Sequence, residues 1–318
     1  VIDEVLTCCD HFTGMTKSDR DLLFDHGYIF IEKDTSRLRW NHVRYPNYRG
    51  EFDKIMHLCD NGNLVAYVPK GADSKNAMVI LWQFPSEFLQ CFSEVLVLTY
   101  LFHGSPMKSY LQAEGLTFDM QSVGAGCSLV PWSENSERAI KERLRSLVTI
   151  YEGKLNAMGR SNGRDNPLSS SWFKRATLPD YSKLRQATIS FFKYTAETPS
   201  SLNAWTTFKE RKAKLKGTRY GREDNWIPLN AKATNDYIDK QSLAYLANRF
   251  PLPAIKAYFD ERGIEVNDDV YALSEMVQWL WRSGIRRGDP ITVFVPSDRM
   301  RRLLRQWLKS DDTLSFIA

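Results

Sequence analysis

Apolar residues recur every three or four positions across 271–287, at Leu273, Met276, Val277, Leu280, Trp281 and Ile285. That spacing predicts one amphipathic helix over the whole stretch. Gln278, Arg282 and Arg286 follow one another at steps of four, so the helix stacks an amide and two guanidiniums on one face beside its apolar stripe. An apolar run at 291–296 reads as a strand, and 297–309 as a closing helix. Upstream, the pattern predicts a strand at 202–208, a strand opening at 226 before a polar loop, a strand at 242–250 and a helix at 251–264. Alternation of helix and strand implies a parallel sheet with helices on its faces.

The first third is patterned in shorter pieces. A helix over 16–26 is capped by Thr16, two strands within 28–40 flank a polar turn, and a helix over 52–59 stops at 60–63. Residues 64–68 and 78–82 read as strands, and Pro85 opens a short helix. The run 94–102 is the most continuous apolar segment of this third and reads as a fully buried parallel strand. A helix follows with Ser105 as cap and Pro106 in its first turn, then a strand at 117–123. Residues 124–136 are rich in Gly, Ser and Pro and read as a linker. A charged amphipathic helix over 137–153, a loop over 159–170 and a helix over 181–194 lead into the second half. The division this predicts is a first domain over 1–123, a linker over 124–145 and a second domain over 146–318.

Composition narrows the classes. The chain has 318 residues, of which 43% are hydrophobic, enough for two packed cores. Net charge is +5, concentrated in 205–222 and 299–309, which suits a polyanionic partner. Five cysteines without a CxxC pair imply reduced thiols and a cytoplasmic setting. No apolar run is long enough to span a bilayer, and no signal peptide is visible. The sequence has no GxxxxGK[ST], HExxH or GxSxG motif and no zinc spacing, and His11, His26, His42, His57 and His103 are scattered. The first residues, VIDEV, read as a strand running into Asp3 and Glu4, at the strand end where α/β sheets take ligands. A row of arginines suits a polyphosphate, because guanidinium stays charged and grips phosphate oxygens as a fork; the plain alternative is a solvated basic face.

In order, VIDEV, Leu98-Thr99-Tyr100, the segment AWTTFK at 204–209, NAKATNDY at 230–237 and QWLWRSGIR at 278–286 resemble the motif ladder of superfamily 2 helicases. More narrowly they resemble the DEAD/DEAH-box-like helicases of bacteriophages and mobile elements. The resemblance covers nearly the whole chain and is closest over 200–305. The last motif departs from its usual QxxGRxxR, with Trp281 in place of Gly and the final Arg at 286, one position late. Leu98-Thr99-Tyr100 stands in place of Ser-Ala-Thr.

The resemblance implies RecA-like α/β domains, the first of them partial, with ATP and Mg²⁺ as cofactors. It gives Asp3 the metal, Glu4 the attacking water, and Gln278, Arg282 and Arg286 the cleft, with Arg282, Arg286 or Arg287 as arginine finger. It gives Thr206, Lys209, Thr234 and Asn235 contacts to single-stranded or duplex nucleic acid, DNA before RNA. The phosphate loop is then expected upstream of Val1, making this the C-terminal part of an ATP-dependent helicase or translocase that is inactive alone. Two alternatives stay open. One is a non-catalytic nucleic-acid-binding module derived from the same fold; the other is a nuclease using Asp3 and Glu4 as metal ligands.

Overall fold

The computed structural model describes residues 1–71, 77–161, 163, 165–231 and 234–310. They form two compact units, Val1–Thr117 with Pro251–Val266, and Phe118–Phe250 with Asn267 onward.

In the first unit, β1 (Ile2–Asp3) is followed by β2 (Cys9–His11), α1 (Lys17–Asp25), β3 (Ile29–Ile31), β4 (Leu38–Trp40), α2 (Asp53–Asp60), β5 (Leu64–Tyr67), β6 (Val79–Gln83), α3 (Ser86–Gln90), β7 (Val97–Leu98) and α4 (Pro106–Ala113). The caps fall where the sequence places them. Thr16 and Asp19 close a reciprocal capping box on α1, and the Ser105 hydroxyl accepts from the Lys108 N–H at the start of α4. Strands β2, β6 and β5 form an antiparallel sheet, and β3 and β4 a hairpin. Leu23, Ile29, Leu38, Trp40, Ile55, Cys59, Leu64 and Ile80 fill the core beneath them. The parallel sheet expected of a partial RecA-like domain is therefore not what carries this unit; its one parallel pairing among the described residues is β1 with β7. The expected buried strand over 94–102 shrinks to Val97 and Leu98, with Leu98 half exposed. Leu101 takes a left-handed backbone (φ 54) and turns the chain before the apolar run can extend.

The second unit begins with a hairpin of β8 (Gln121–Val123), within the strand expected over 117–123, and β9 (Leu129–Pro131), which falls where a linker was expected. Then come α5 (Glu134–Leu147), β10 (Val148–Ile150), α6 (Ser170–Arg175), α7 (Leu178–Tyr194), β11 (Asn203–Thr206), α8 (Lys212–Leu215) and β12 (Ser242–Tyr245). The chain next contributes α9 (Pro253–Asp260) to the first unit and returns as α10 (Asp268–Leu280), β13 (Ile291–Phe294) and α11 (Asp298–Lys309). The expected second domain did not foresee that excursion.

Strands β10, β13, β12 and β11, in that spatial order, form a fully parallel sheet. Helices cover both faces, so the α/β class holds here. On one face Tyr181, Leu184, Phe191 and Phe192 of α7 pack with Trp205, Ala244, Leu246 and Phe294 from the strands. On the other, the Tyr245 ring meets Trp279 of α10 edge to face at 5.3 Å. β10 lies inside the expected helix 137–153; its β-branched run Val-Thr-Ile pairs with Ile291, Thr292 and Val293, and that pairing overrides the helical spacing. No strand forms at 226, where Trp226 makes only a single bridge to Trp205.

The helix expected over 271–287 is shifted and cut short. It starts earlier because the Asn267 side chain accepts from the N–H groups of Asp269 and Val270, with Asp268 and Asp269 favourably placed in the first turn. It stops at Leu280. The Ser283 N–H and hydroxyl both return to the Leu280 carbonyl, and the Gly284 N–H leaves the helix to bond Lys240 O at 2.8 Å. A side chain at 284 would meet that carbonyl at 3.1 Å, so glycine permits the approach. A 3-10 turn, Gly284–Arg287, then carries Arg286.

Candidate functional site

Asp3 and Glu4 lie in the first unit. The β1–β7 pair sets Asp3 opposite Leu98, and the Glu4 N–H donates to Leu98 O at 2.9 Å. The acidic pair and Thr99 therefore emerge together from the C-terminal ends of two parallel strands. Asp3 is exposed, and Glu4 sits in the left-handed region at φ 70, a conformation few non-glycine residues adopt. Among the described residues no cluster of three or more metal-ligating side chains occurs.

The remaining expected residues lie in the second unit, but not on one surface. Arg282 has left the helix and is buried, so the row Gln278, Arg282, Arg286 does not exist as a helical face. Arg286 is exposed, and its Nη1 donates to Asn235 Oδ1 at 2.5 Å. Lys240, which anchors the 284–287 turn, lies two residues before β12, so this turn marks the N-terminal edge of the sheet. Thr234 turns inward on its own loop, its hydroxyl bonding Asp236 at 2.7 Å; Lys232 and Ala233 of the same expected motif lie outside the described residues. Thr206 ends β11 at the opposite, C-terminal edge, with exposed Lys209 just beyond it. Thr206 is fully buried, which removes it as a contact for a polymer lying on the surface.

The two basic stretches also part company. In α11 the guanidinium of Arg299 donates to Asn248 Oδ1, Arg249 O, Asp268 O and Asp269 Oδ1. Arg301 donates to Val295 O, Pro296 O and Asp298 and pairs with Glu152, which also holds Arg305 at 3.1 Å. These arginines tie loops at strand ends to the helix. In 209–222, Lys212 and Lys216 share Glu223, and Arg222 takes Asp224. Lys209, Arg211, Lys214 and Arg219 face no carboxylate among the described residues.

One group of residues carried no sequence signal. Arg249 follows β12, and its Nη2 donates to the Tyr271 hydroxyl at 2.9 Å and to Glu275 at 2.7 Å. Arg249 Nε, the Tyr245 hydroxyl and Thr206 Oγ1 are buried without hydrogen-bond partners among the described residues. A buried polar group left unsatisfied costs about 1–3 kcal/mol, so three at one edge of one sheet call for an explanation. Burial pushes the Tyr245 phenol far above its ordinary range, so it stays protonated. Burial works against the Arg249 charge, while Tyr271 and Glu275 hold it on, and the balance is upward. Spacing alone hides the group: Tyr271 and Glu275 come from a helix, while Arg249 comes from a loop more than twenty residues earlier.

A family model described as the YonV C-terminal Rossmann-like domain matches residues 142–308, and one described as the YonV middle domain matches 12–82. The chain is 36% identical over 318 residues to the SPbeta prophage-derived uncharacterized protein YonV of Bacillus subtilis (strain 168), an alignment covering 98% of this chain and 73% of that protein. No solved structure matches. No helix among the described residues is long and apolar enough to cross a membrane. The match over 142–308 spans the whole parallel sheet together with the 251–266 excursion, and that over 12–82 takes in the β3–β4 hairpin, β5 and most of β6. Sequence and architecture together assign this chain to the YonV family.

Proposed function

We propose that this chain is a nucleic-acid-binding protein whose second unit grips the phosphate backbone through 209–222. One observation carries the reading: among the described residues Lys209, Arg211, Lys214 and Arg219 face no carboxylate, while the arginines of α11 are tied internally. Unpaired cations release counterions from a polyanion at little desolvation cost, so binding is tolerant of sequence and steep in salt. The prophage origin of the YonV relative and the free cysteines are consistent with work on phage nucleic acid in the cytoplasm. The test is fluorescence anisotropy with labelled single-stranded DNA over a salt series, for the natural chain and the variant Lys209→Ala/Arg211→Ala/Lys214→Ala/Arg219→Ala. Loss of four contacts flattens the slope of log K against log salt by up to about 3, at roughly 0.7 per phosphate contact. An unchanged slope rejects the segment as the interface.

A second reading, an ATP-dependent helicase or translocase, is favoured by the β1–β7 pair, which brings Asp3, Glu4 and Thr99 out at one strand end. In that reading Asp3 would hold Mg²⁺, Glu4 would orient the attacking water and Arg286 would be a candidate arginine finger. Glu4→Gln in the longest natural form of the chain separates the two readings. A motor loses ATP turnover and keeps DNA binding; turnover that is absent, or indifferent to Glu4, leaves the static binder.

A further inference from the structure

Thr206 and Tyr245 are register partners at the last rung of the β11–β12 ladder. Trp205 belongs to the cluster beneath α7, so the pleat turns Thr206 and Tyr245 to the other face, under α10. Both side chains are fully buried with unpartnered hydroxyls. Arg249 lies four residues beyond Tyr245, with Nη2 committed to Tyr271 and Glu275 and Nε committed to nothing among the described residues. The Arg249 and Glu275 side chains are 19% and 26% exposed, while Arg249 Nε itself is buried. This is the C-terminal edge of a parallel sheet, the end at which α/β folds take their ligands.

We propose that this edge is a seat for a terminal phosphate, in which one phosphate oxygen accepts from Arg249 Nε and the Tyr245 hydroxyl and the anion replaces Glu275 as the counter-ion of Arg249. The chemistry selects the ligand. Nε–H is a donor only, and the protonated phenol beside it offers a second donor, so the missing partner is an acceptor. A guanidinium desolvated on one side favours an acceptor with charge. Glu275 stands on a helix surface and can swing to water when displaced. The seat uses none of the side chains of 209–222, although Lys209 follows Thr206 at the same edge of the sheet.

The test is titration of the full chain with inorganic phosphate and, separately, with ATP in EDTA, followed by calorimetry and melting temperature. Tyr245→Phe should weaken phosphate about tenfold, the worth of one hydrogen bond to a charged acceptor. Without ligand the same variant should melt no lower than the natural chain, because it deletes an unsatisfied hydroxyl. Glu275→Gln should tighten phosphate, since the competing carboxylate is gone. Tighter binding of ATP than of phosphate identifies a nucleotide as the source, and equal binding identifies free phosphate. The seat is rejected if the natural chain gains no stability from either ligand, if Tyr245→Phe binds as well as the natural chain, or if Glu275→Gln binds more weakly. Competition by an oligonucleotide lacking terminal phosphates overturns the terminal-phosphate assignment. The four-alanine variant of 209–222 should keep the seat intact; loss of both together would reject it as a separate site.

Discussion

Arg299→Met offers a sharp check on the claim that the arginines of α11 serve architecture. The natural guanidinium donates to Asn248 Oδ1 at 3.0 Å, Arg249 O at 2.7 Å, Asp268 O at 2.7 Å and Asp269 Oδ1 at 2.8 Å. Methionine keeps an apolar stem to pack on the Phe250 ring, over which the guanidinium carbon sits at 4.1 Å. The Asp269 carboxylate is 43% exposed and returns to water, so its pairing adds little. The other three acceptors lose their donor at about 1 kcal/mol each, giving a loss of about 3 kcal/mol. For a unit of roughly 150–250 residues that is a drop of about 6–12 °C in Tm. Thermal denaturation followed by tryptophan fluorescence reads it, because Trp205, Trp226, Trp279 and Trp307 are all buried in the second unit. A shift under about 2 °C would show that the four bonds are idle. A large loss of DNA affinity at unchanged Tm would make Arg299 a phosphate contact and refute the clamp.

Further expectations are simpler. Asn267→Ala removes the cap of α10 and should cost about 1 kcal/mol in urea denaturation, with Asn267→Asp close to neutral. Asp19 and Asp180 have carboxyl pKa values lowered by hydrogen bonds from Thr16 and Thr177 in their capping boxes. A depressed carboxyl stabilises the fold above its unfolded pKa and loses that contribution as pH falls through the folded value. Asp19→Asn and Asp180→Asn should therefore destabilise at neutral pH, and the gap to the natural chain should close in acid; a gap that widens in acid refutes the assignment. Burial pushes the Cys9 and Cys59 thiols up to about 12, while Cys91 and Cys127 are exposed. A thiol reagent should label Cys91 and Cys127 quickly in the native protein and the buried cysteines only on unfolding.

What the sequence made legible was local. Thr16, Ser105 and Pro106 announce helix starts through chemistry within three residues, and those starts are where they were expected. The strands 203–206, 242–245 and 291–294 show as apolar runs because a parallel sheet buries both their faces. What failed depended on distant partners. Val148 to Ile150 is a strand only because Ile291 to Val293 lies beside it, and α10 ends at Leu280 because Gly284 bonds Lys240, more than forty residues away. The row of Gln278, Arg282 and Arg286 assumed a helix that this contact interrupts. Of the expected site residues, Asn235 and Arg286 do meet, although nothing in their spacing joins a loop to a turn 51 residues on. Arg249 was passed over because a lone arginine after a strand looks like surface until Tyr245, Tyr271 and Glu275 are placed around it.

The excursion of residues 251–266 has a practical consequence. Arg299 holds Arg249 O and Asp268 O on one guanidinium, so the chain departs from the second unit and re-enters it at almost the same point. A segment with coincident ends behaves as an insertion, and insertions at such points are well tolerated. Cutting at 117/118 cannot yield two clean halves, because the C-terminal piece would carry α9 away from Tyr67 and Gln83, whose side chains bond Glu261 and Tyr258. Replacing 251–266 by a few glycines in a chain begun at Phe118 should instead give the second unit whole, and the first unit would then need that helix supplied as a separate peptide.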